Sequence, residues 1–152
     1  MKKLILVLAF IAVTIDTNAQ VFVGGSAGVA YVGDFSAAIK TFAGYEFSQK
    51  FAVGGGLSAQ YVDDGNPLVM VDAFARYNCW NNSHLFFDLT GKGSLELDHG
   101  CIEVGVVPSI RYRFSDHWDA SADLGLIGYN TDVDFVVSAK STNVCLNVIY
   151  RF

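Results

Sequence analysis

The chain has 152 residues, a formal net charge of −5, 52% apolar positions and a mean hydropathy of +0.36. The acidic balance argues against nucleic-acid binding, which wants a basic patch. After the first residues no stretch of about 20 positions is free of charge, which excludes a membrane-spanning helix, so the hydrophobes must be interleaved with polar residues.

The first segment has the layout of a secretory leader. Met1-Lys2-Lys3 is basic, and Leu4 to Ile15 is apolar except for Thr14. After Asp16, Thr17-Asn18-Ala19 supplies the short residues that precede a cut. This predicts a signal peptide over 1–19, cleaved after Ala19, and a single domain over 20–152. The apolar run is too short to remain as a helical anchor, and no Cys stands at the cut to carry a lipid. Without Lys2, Lys3 and Asp16, eight basic and fourteen acidic residues remain.

From there period two dominates, the mark of strands. Turn signals divide the chain into eight such segments, 21–32, 38–47, 51–62, 68–80, 85–97, 101–114, 118–128 and 140–152. In the fifth, Leu85, Phe87, Leu89, Leu95 and Leu97 alternate with Phe86, Asp88, Thr90, Lys92, Ser94 and Glu96. In the last, Val144, Leu146, Val148, Tyr150 and Phe152 alternate with Asn143, Cys145, Asn147, Ile149 and Arg151. A helix would spread such charges around its whole cylinder.

Three connections read as tight turns: 48–50, 81–84 and 115–117. The other four, 33–37, 63–67, 98–100 and 129–139, carry Asp34, Asp63, Asp64, Asp98, Asp132 and Asp134. Aromatics flank the tight turns: Tyr45, Phe47 and Phe51; Tyr77, Trp80, Phe86 and Phe87; Tyr112, Phe114 and Trp118; and finally Tyr150 and Phe152. Tyr31, Phe35, Tyr61, Tyr129 and Phe135 lie toward the other end. Two aromatic belts around an apolar band are the exterior of a transmembrane barrel.

Charge gives the sharper reading. Lys40, Glu46, Asp72, Arg76, Asp88, Lys92, Glu96, Glu103, Arg111, Arg113, Asp119, Asp123 and Arg151 all fall on the face opposite the apolar set. Alternation alone does not say which face is inside, but residue size does. Gly24, Ser26, Gly28, Gly54, Gly56 and Ser58 share the charged face, and small residues mixed with charge fill a narrow barrel. Bulky Leu, Val and aromatics then coat the outside. The expected fold is all-β, an eight-stranded antiparallel up-and-down transmembrane β-barrel. Eight strands enclose a lumen just wide enough for side chains, so paired charges should plug it. Lys92 with Glu96 or Asp88, and Arg111 or Arg113 with Asp119 or Asp123, are the expected neighbours.

With its leader, eight strands and closing Tyr150-Arg151-Phe152, the chain resembles the small outer-membrane β-barrel domain family, the OmpX-like barrels of Gram-negative bacteria. The resemblance implies a place in the cell outer membrane, among outer-membrane lipid and lipopolysaccharide. It also implies that Val148, Tyr150 and Phe152 form a C-terminal signal read by the barrel assembly machinery. It carries fold and location better than activity.

Candidates for chemistry are sparse. Asp98-His99, with Ser94 nearby, is the one rim cluster that could suit an enzyme; it reads better as a solvated turn. The dispersed loop aspartates read as solvated charge, not as a calcium or lipopolysaccharide-bridging site. Val53-Gly54-Gly55-Gly56 lacks the Lys and helix of a phosphate loop. Cys79, Cys101 and Cys145 match no zinc spacing and read as small strand residues, one disulfide being the lesser alternative. No catalytic residue, cofactor or metal is expected. The expected role is structural or interactive, as a monomer in the envelope. The alternatives are a soluble secreted barrel for a small apolar ligand, a narrow pore and a rim-active lipid enzyme.

Overall fold

A computed structural model describes residues 20–32, 34–62, 67–98, 100–131, 134–138 and 144–152. The proposed leader and its cut at Ala19 lie outside them. The strands are β1 (Gln20–Val32), β2 (Asp34–Ser48), β3 (Phe51–Val62), β4 (Leu68–Asn82), β5 (Leu85–Glu96), β6 (Ile102–Arg113), β7 (Trp118–Asp123), β8 (Leu126–Asn130), β9 (Asp134–Ser138) and β10 (Leu146–Arg151). β1 to β6 pair in sequence, each antiparallel to the next. β7 and β8 both pair with β6 and form one interrupted seventh stave. β9 pairs with β8 and β10 with β7, together forming the eighth. β10 pairs with β1 from Phe22↔Arg151 to Ala27↔Leu146, and the sheet closes as an eight-stranded antiparallel barrel.

The seventh stave is broken opposite Pro108. Ser109 pairs with Asp123 and Val106 with Ile127, so β6 has two residues between those pairs and the seventh stave has three. Proline has no N–H for the ladder, and such residues sit where a bulge relieves the pairing. Gly125 takes the left-handed backbone there, with φ +118°. The extra residue switches the alternation, so Leu126 turns inward and is fully buried. Further bulges lie between Glu46 and Ser48 and between Asn78 and Trp80.

These features correct several expectations. The connection expected over 33–37 is mostly strand, since β2 begins at Asp34, and the loop expected over 129–139 contains β9. The strand expected over 118–128 is two strands. Of the strand expected over 140–152, Val144 and Cys145 lie outside β10, and 140–143 lies outside the described residues.

The lumen also holds a cluster of aromatic rings among the small and charged residues expected there. Phe22, Phe42 and Phe74 meet with ring centroids 6.1 to 6.5 Å apart, packed with Ala52 and Ile149. Each ring stands across from a glycine in a neighbouring strand: Phe22↔Gly44, Phe42↔Gly24 and Gly56, Phe74↔Gly54. A Cβ at Gly44 would fall 2.4 Å from both the Phe22 ring and the Val53 carbonyl oxygen. The ring could move, but the oxygen is backbone.

Gly44→Ala should therefore destabilise the barrel by about 1–3 kcal/mol through overpacking. Gly93→Ala, where nothing lies within 4 Å of the added Cβ, should change it little. Urea unfolding in detergent compares the two, and equal midpoints would refute the role given to Gly44.

Candidate functional site: a ring of charges in the lumen

Alternation places the charged residues of each strand in the lumen, and closure brings distant ones together. Near the tight turns, six of them form a cycle of alternating sign. Arg76 donates to Glu46 at 3.2 Å and lies 4.0 Å from Asp88. Arg111 donates from Nε to Asp88 at 2.7 Å and from a terminal nitrogen to Asp119 at 2.8 Å. Arg151 pairs with Asp119 and closes the cycle at Glu46, 3.4 Å away. The ring thus links β2, β4, β5, β6, β7 and β10, six of the eight staves.

Each acid in the ring touches two arginines, and each arginine two acids. That arrangement matters because Asp88 and Asp119 are both 0% exposed. An isolated buried ion costs several kcal/mol, and only multiple partners with good hydrogen-bond geometry offset it. Asn78 adds a bond to Asp88 at 2.8 Å, and Arg113 reaches Asp119 at 3.4 Å. Phe86 points inward, not toward the aromatic belt as expected. Arg111 and Arg113 lie over its face, 4.4 and 4.7 Å from the centroid. Arg76 stands similarly over Phe22, at 5.1 Å.

Above the ring and the phenylalanines, Lys92 lies 3.7 Å from Asp72, and Lys40 4.0 Å from Asp123. Ser94 donates to Asp72 at 2.6 Å, and the Cys145 thiol to Asp123 at 3.2 Å. Glu103 is buried there and Glu96 half-buried. A cavity of about 80 Å³ lies between these groups and the ring.

All thirteen charges read as interior are thus buried or half-buried. The structure brings Arg111 and Arg113 to Asp119 as expected, whereas Asp72 on the facing strand is an unforeseen partner of Lys92. Ser94 is engaged in the lumen, Asp98 is exposed, and His99 lies outside the described residues. Of the loop aspartates, Asp34 and Asp134 fall in strands. The three cysteines are free thiols: Cys79 exposed, Cys101 half-buried and Cys145 buried. The interior phenylalanines could have been found by parity, since Phe42 alternates with Lys40, Gly44 and Glu46.

Outside, Phe51, Tyr77, Trp80, Phe87, Tyr112, Phe114, Trp118 and Phe152 are exposed around the tight-turn end, and Phe35, Tyr61, Tyr129 and Phe135 around the other. Val, Leu and Ile side chains cover the band between. Val148 is exposed on this outer face, and Tyr150 packs against Trp118 and Phe152 at 4.9 and 5.1 Å. The Phe152 N–H donates to the Val21 carbonyl at 3.0 Å, so the final residue is tied to β1.

No family model matches the chain, and no curated protein matches it. The physical arrangement alone carries the functional argument.

Asp119→Ala would leave Arg111, Arg113 and Arg151 each short of a carboxylate. A loss of about 3–5 kcal/mol in unfolding free energy is expected, the cost typical of breaking a buried pair. Asp116→Ala, at an exposed turn residue, should stay within about 0.5 kcal/mol. Urea titration of the purified barrel measures both. A near-neutral Asp119→Ala would mean that the ring does not hold the staves together.

Proposed function

We propose that this chain is an integral protein of the bacterial outer membrane, an OmpX-like barrel with a structural or surface-interaction role in the envelope. Its lumen is plugged by paired charges, it acts as a monomer without enzymatic activity, and both ends of the mature chain are on the periplasmic side. The observation that carries this reading is the inverted polarity of the wall. Among the described strand side chains, Asp, Glu, Lys and Arg all face the lumen, while most Val, Leu, Ile and aromatic residues face out, Phe22, Phe42, Phe74, Phe86, Val107, Leu126 and Ile149 being among those that turn inward.

A charge facing lipid at mid-bilayer costs about 2–4 kcal/mol, and this exterior avoids that cost throughout its described strands. A soluble barrel has the opposite arrangement. In water this exterior would be a continuous apolar band, beyond the few hundred Å² that soluble monomers commonly expose. The two aromatic belts fit the two interfaces of a bilayer. A soluble carrier of a small apolar ligand is disfavoured on a second ground, because the cavity of about 80 Å³ is charged and small. The ring stands against free diffusion through the lumen.

In this reading the outward Val148, Tyr150 and Phe152 serve as the segment recognised during assembly, and lipid and lipopolysaccharide are the lasting partners. Fractionation should place the mature protein in the outer membrane, with gel mobility that differs between unheated and boiled samples. A soluble periplasmic protein lacking that shift would overturn the proposal. Deleting Phe152 should reduce the heat-shiftable form at least severalfold while export and leader removal continue. Undiminished assembly would remove the recognition role from this residue.

A further inference from the structure

The last three residues occur twice in the chain. Tyr112-Arg113-Phe114 closes β6 and runs one residue past it, as Tyr150-Arg151-Phe152 does for β10. Both strands are antiparallel to β7 and flank it, so the two copies stand at the same end of the barrel on either side of one strand. Their backbones are held alike. The Arg113 N–H donates to the His84 carbonyl at 2.7 Å, and the Arg151 N–H to the His117 carbonyl at 2.8 Å. Each histidine returns a bond through Nδ1 to the carbonyl of the same arginine, at 3.1 and 3.0 Å. Each imidazole also packs on the neighbouring tyrosine, with centroids 6.1 and 5.8 Å apart. The phenylalanine N–H then donates to the start of the next strand, Phe114 to Trp118 at 3.2 Å and Phe152 to Val21 at 3.0 Å. Inside, both arginines reach Asp119.

These contacts explain the arginines and histidines. The rest of the duplication is on the outer face, where Ile110, Tyr112 and Phe114 repeat Val148, Tyr150 and Phe152 position for position. An aromatic belt requires rings at this level, but no particular order of apolar residue, Tyr and Phe along a strand end. Other strands that run to this end depart from the order. β2 has Ala43 before Tyr45 and Phe47, and the bulge in β4 puts two residues between Tyr77 and Trp80. We propose that Ile110, Tyr112 and Phe114 are an internal copy of the element formed by Val148, Tyr150 and Phe152, bound by the same assembly partner before β7 docks. A partner that fits offers an open strand edge, to which β6 adds, with apolar pockets at alternate positions for the outward side chains. The timing follows from the pairing. In the closed barrel β6 is engaged by β5 on one edge and by β7 and β8 on the other, so its backbone is available only earlier. The inference rests on the recognition proposed above for the C-terminal segment and extends it to a second site.

Two measurements on the full-length protein separate recognition from folding. One is the amount of heat-shiftable form assembled in cells. The other is unaided refolding of the purified, urea-denatured barrel into detergent. Phe114→Ala should lower the first severalfold, as Phe152→Ala should, and leave the yield and urea midpoint of the second unchanged. Phe114→Tyr keeps a ring at the position and should assemble normally. Phe87→Ala removes an exposed ring of the same belt that lies outside the repeat, and it should also assemble normally.

Normal assembly of Phe114→Ala beside a defective Phe152→Ala would overturn the internal copy and leave the terminal one standing. An equal loss of Phe114→Ala in unaided refolding would make Phe114 a folding residue and overturn its recognition. An equal defect in Phe87→Ala would assign the effect to the belt as a whole, which overturns the proposal as well. Failure of the outer-membrane reading would show instead in the unaltered protein, which would fractionate as soluble and lack the heat-dependent shift.

Discussion

The ring Glu46–Arg76–Asp88–Arg111–Asp119–Arg151 is the interaction on which the rest of the structure depends. Its members come from positions 46 to 151; three of its contacts lie within hairpins, but Glu46 to Arg76 skips a strand and Arg151 reaches Glu46 only once the sheet has closed. Once closed, the ring satisfies charges that would each be costly alone, because every carboxylate has two guanidinium neighbours. Arginine suits this role better than lysine. Its planar fork donates in two directions, as Arg111 does toward Asp88 and Asp119. The pairing is also cooperative, since loss of one acid leaves at least two cations short.

The layers above follow from the ring. Arginine heads at one level leave stems and gaps that flat aromatic faces fill, as Phe22 does against Arg76 and Phe86 against Arg111 and Arg113. The triad of Phe22, Phe42 and Phe74 in turn requires the bare backbone of Gly24, Gly44, Gly54 and Gly56 across from it. Small residues in these strands are therefore the counterpart of large ones beside them. They do not signify a loosely filled lumen.

Much of this order was legible in the sequence. Period two, the tight turns and the one-sided charges identified the strands, and the same parity placed all thirteen charged residues in the lumen. What periodicity cannot supply is which charges meet, because that depends on stagger and closure between strands distant in sequence. Arg111 to Asp119 spans a single hairpin and was foreseeable. Arg151 to Glu46 required the barrel to close. Bulges are the second gap. One extra residue, as at Gly125 opposite Pro108, switches every later side chain to the other face, and this is how Leu126 enters the lumen. Phe86 was misplaced for a different reason: an aromatic beside a turn belongs to the outer belt by composition, although its alternation with Asp88 placed it inside.

The inverted wall also bears on how one register is chosen. On an apolar outer surface of Val, Leu and Ile, neighbouring side chains are nearly interchangeable, so the exterior discriminates weakly between registers. The lumen discriminates strongly. A slip of β10 by one residue against β1 would carry Arg151 to the outer face, at about 2–4 kcal/mol if that face meets lipid. It would also separate Arg151 from Glu46 and Asp119, two buried acids that depend on it. The final strand carries Asn147, Ile149 and Arg151 inward, and Arg151 is the residue that joins the last strand to charges on β2 and β7. The ring therefore serves as the register mark of closure, while the outward Val148, Tyr150 and Phe152 take no part in it.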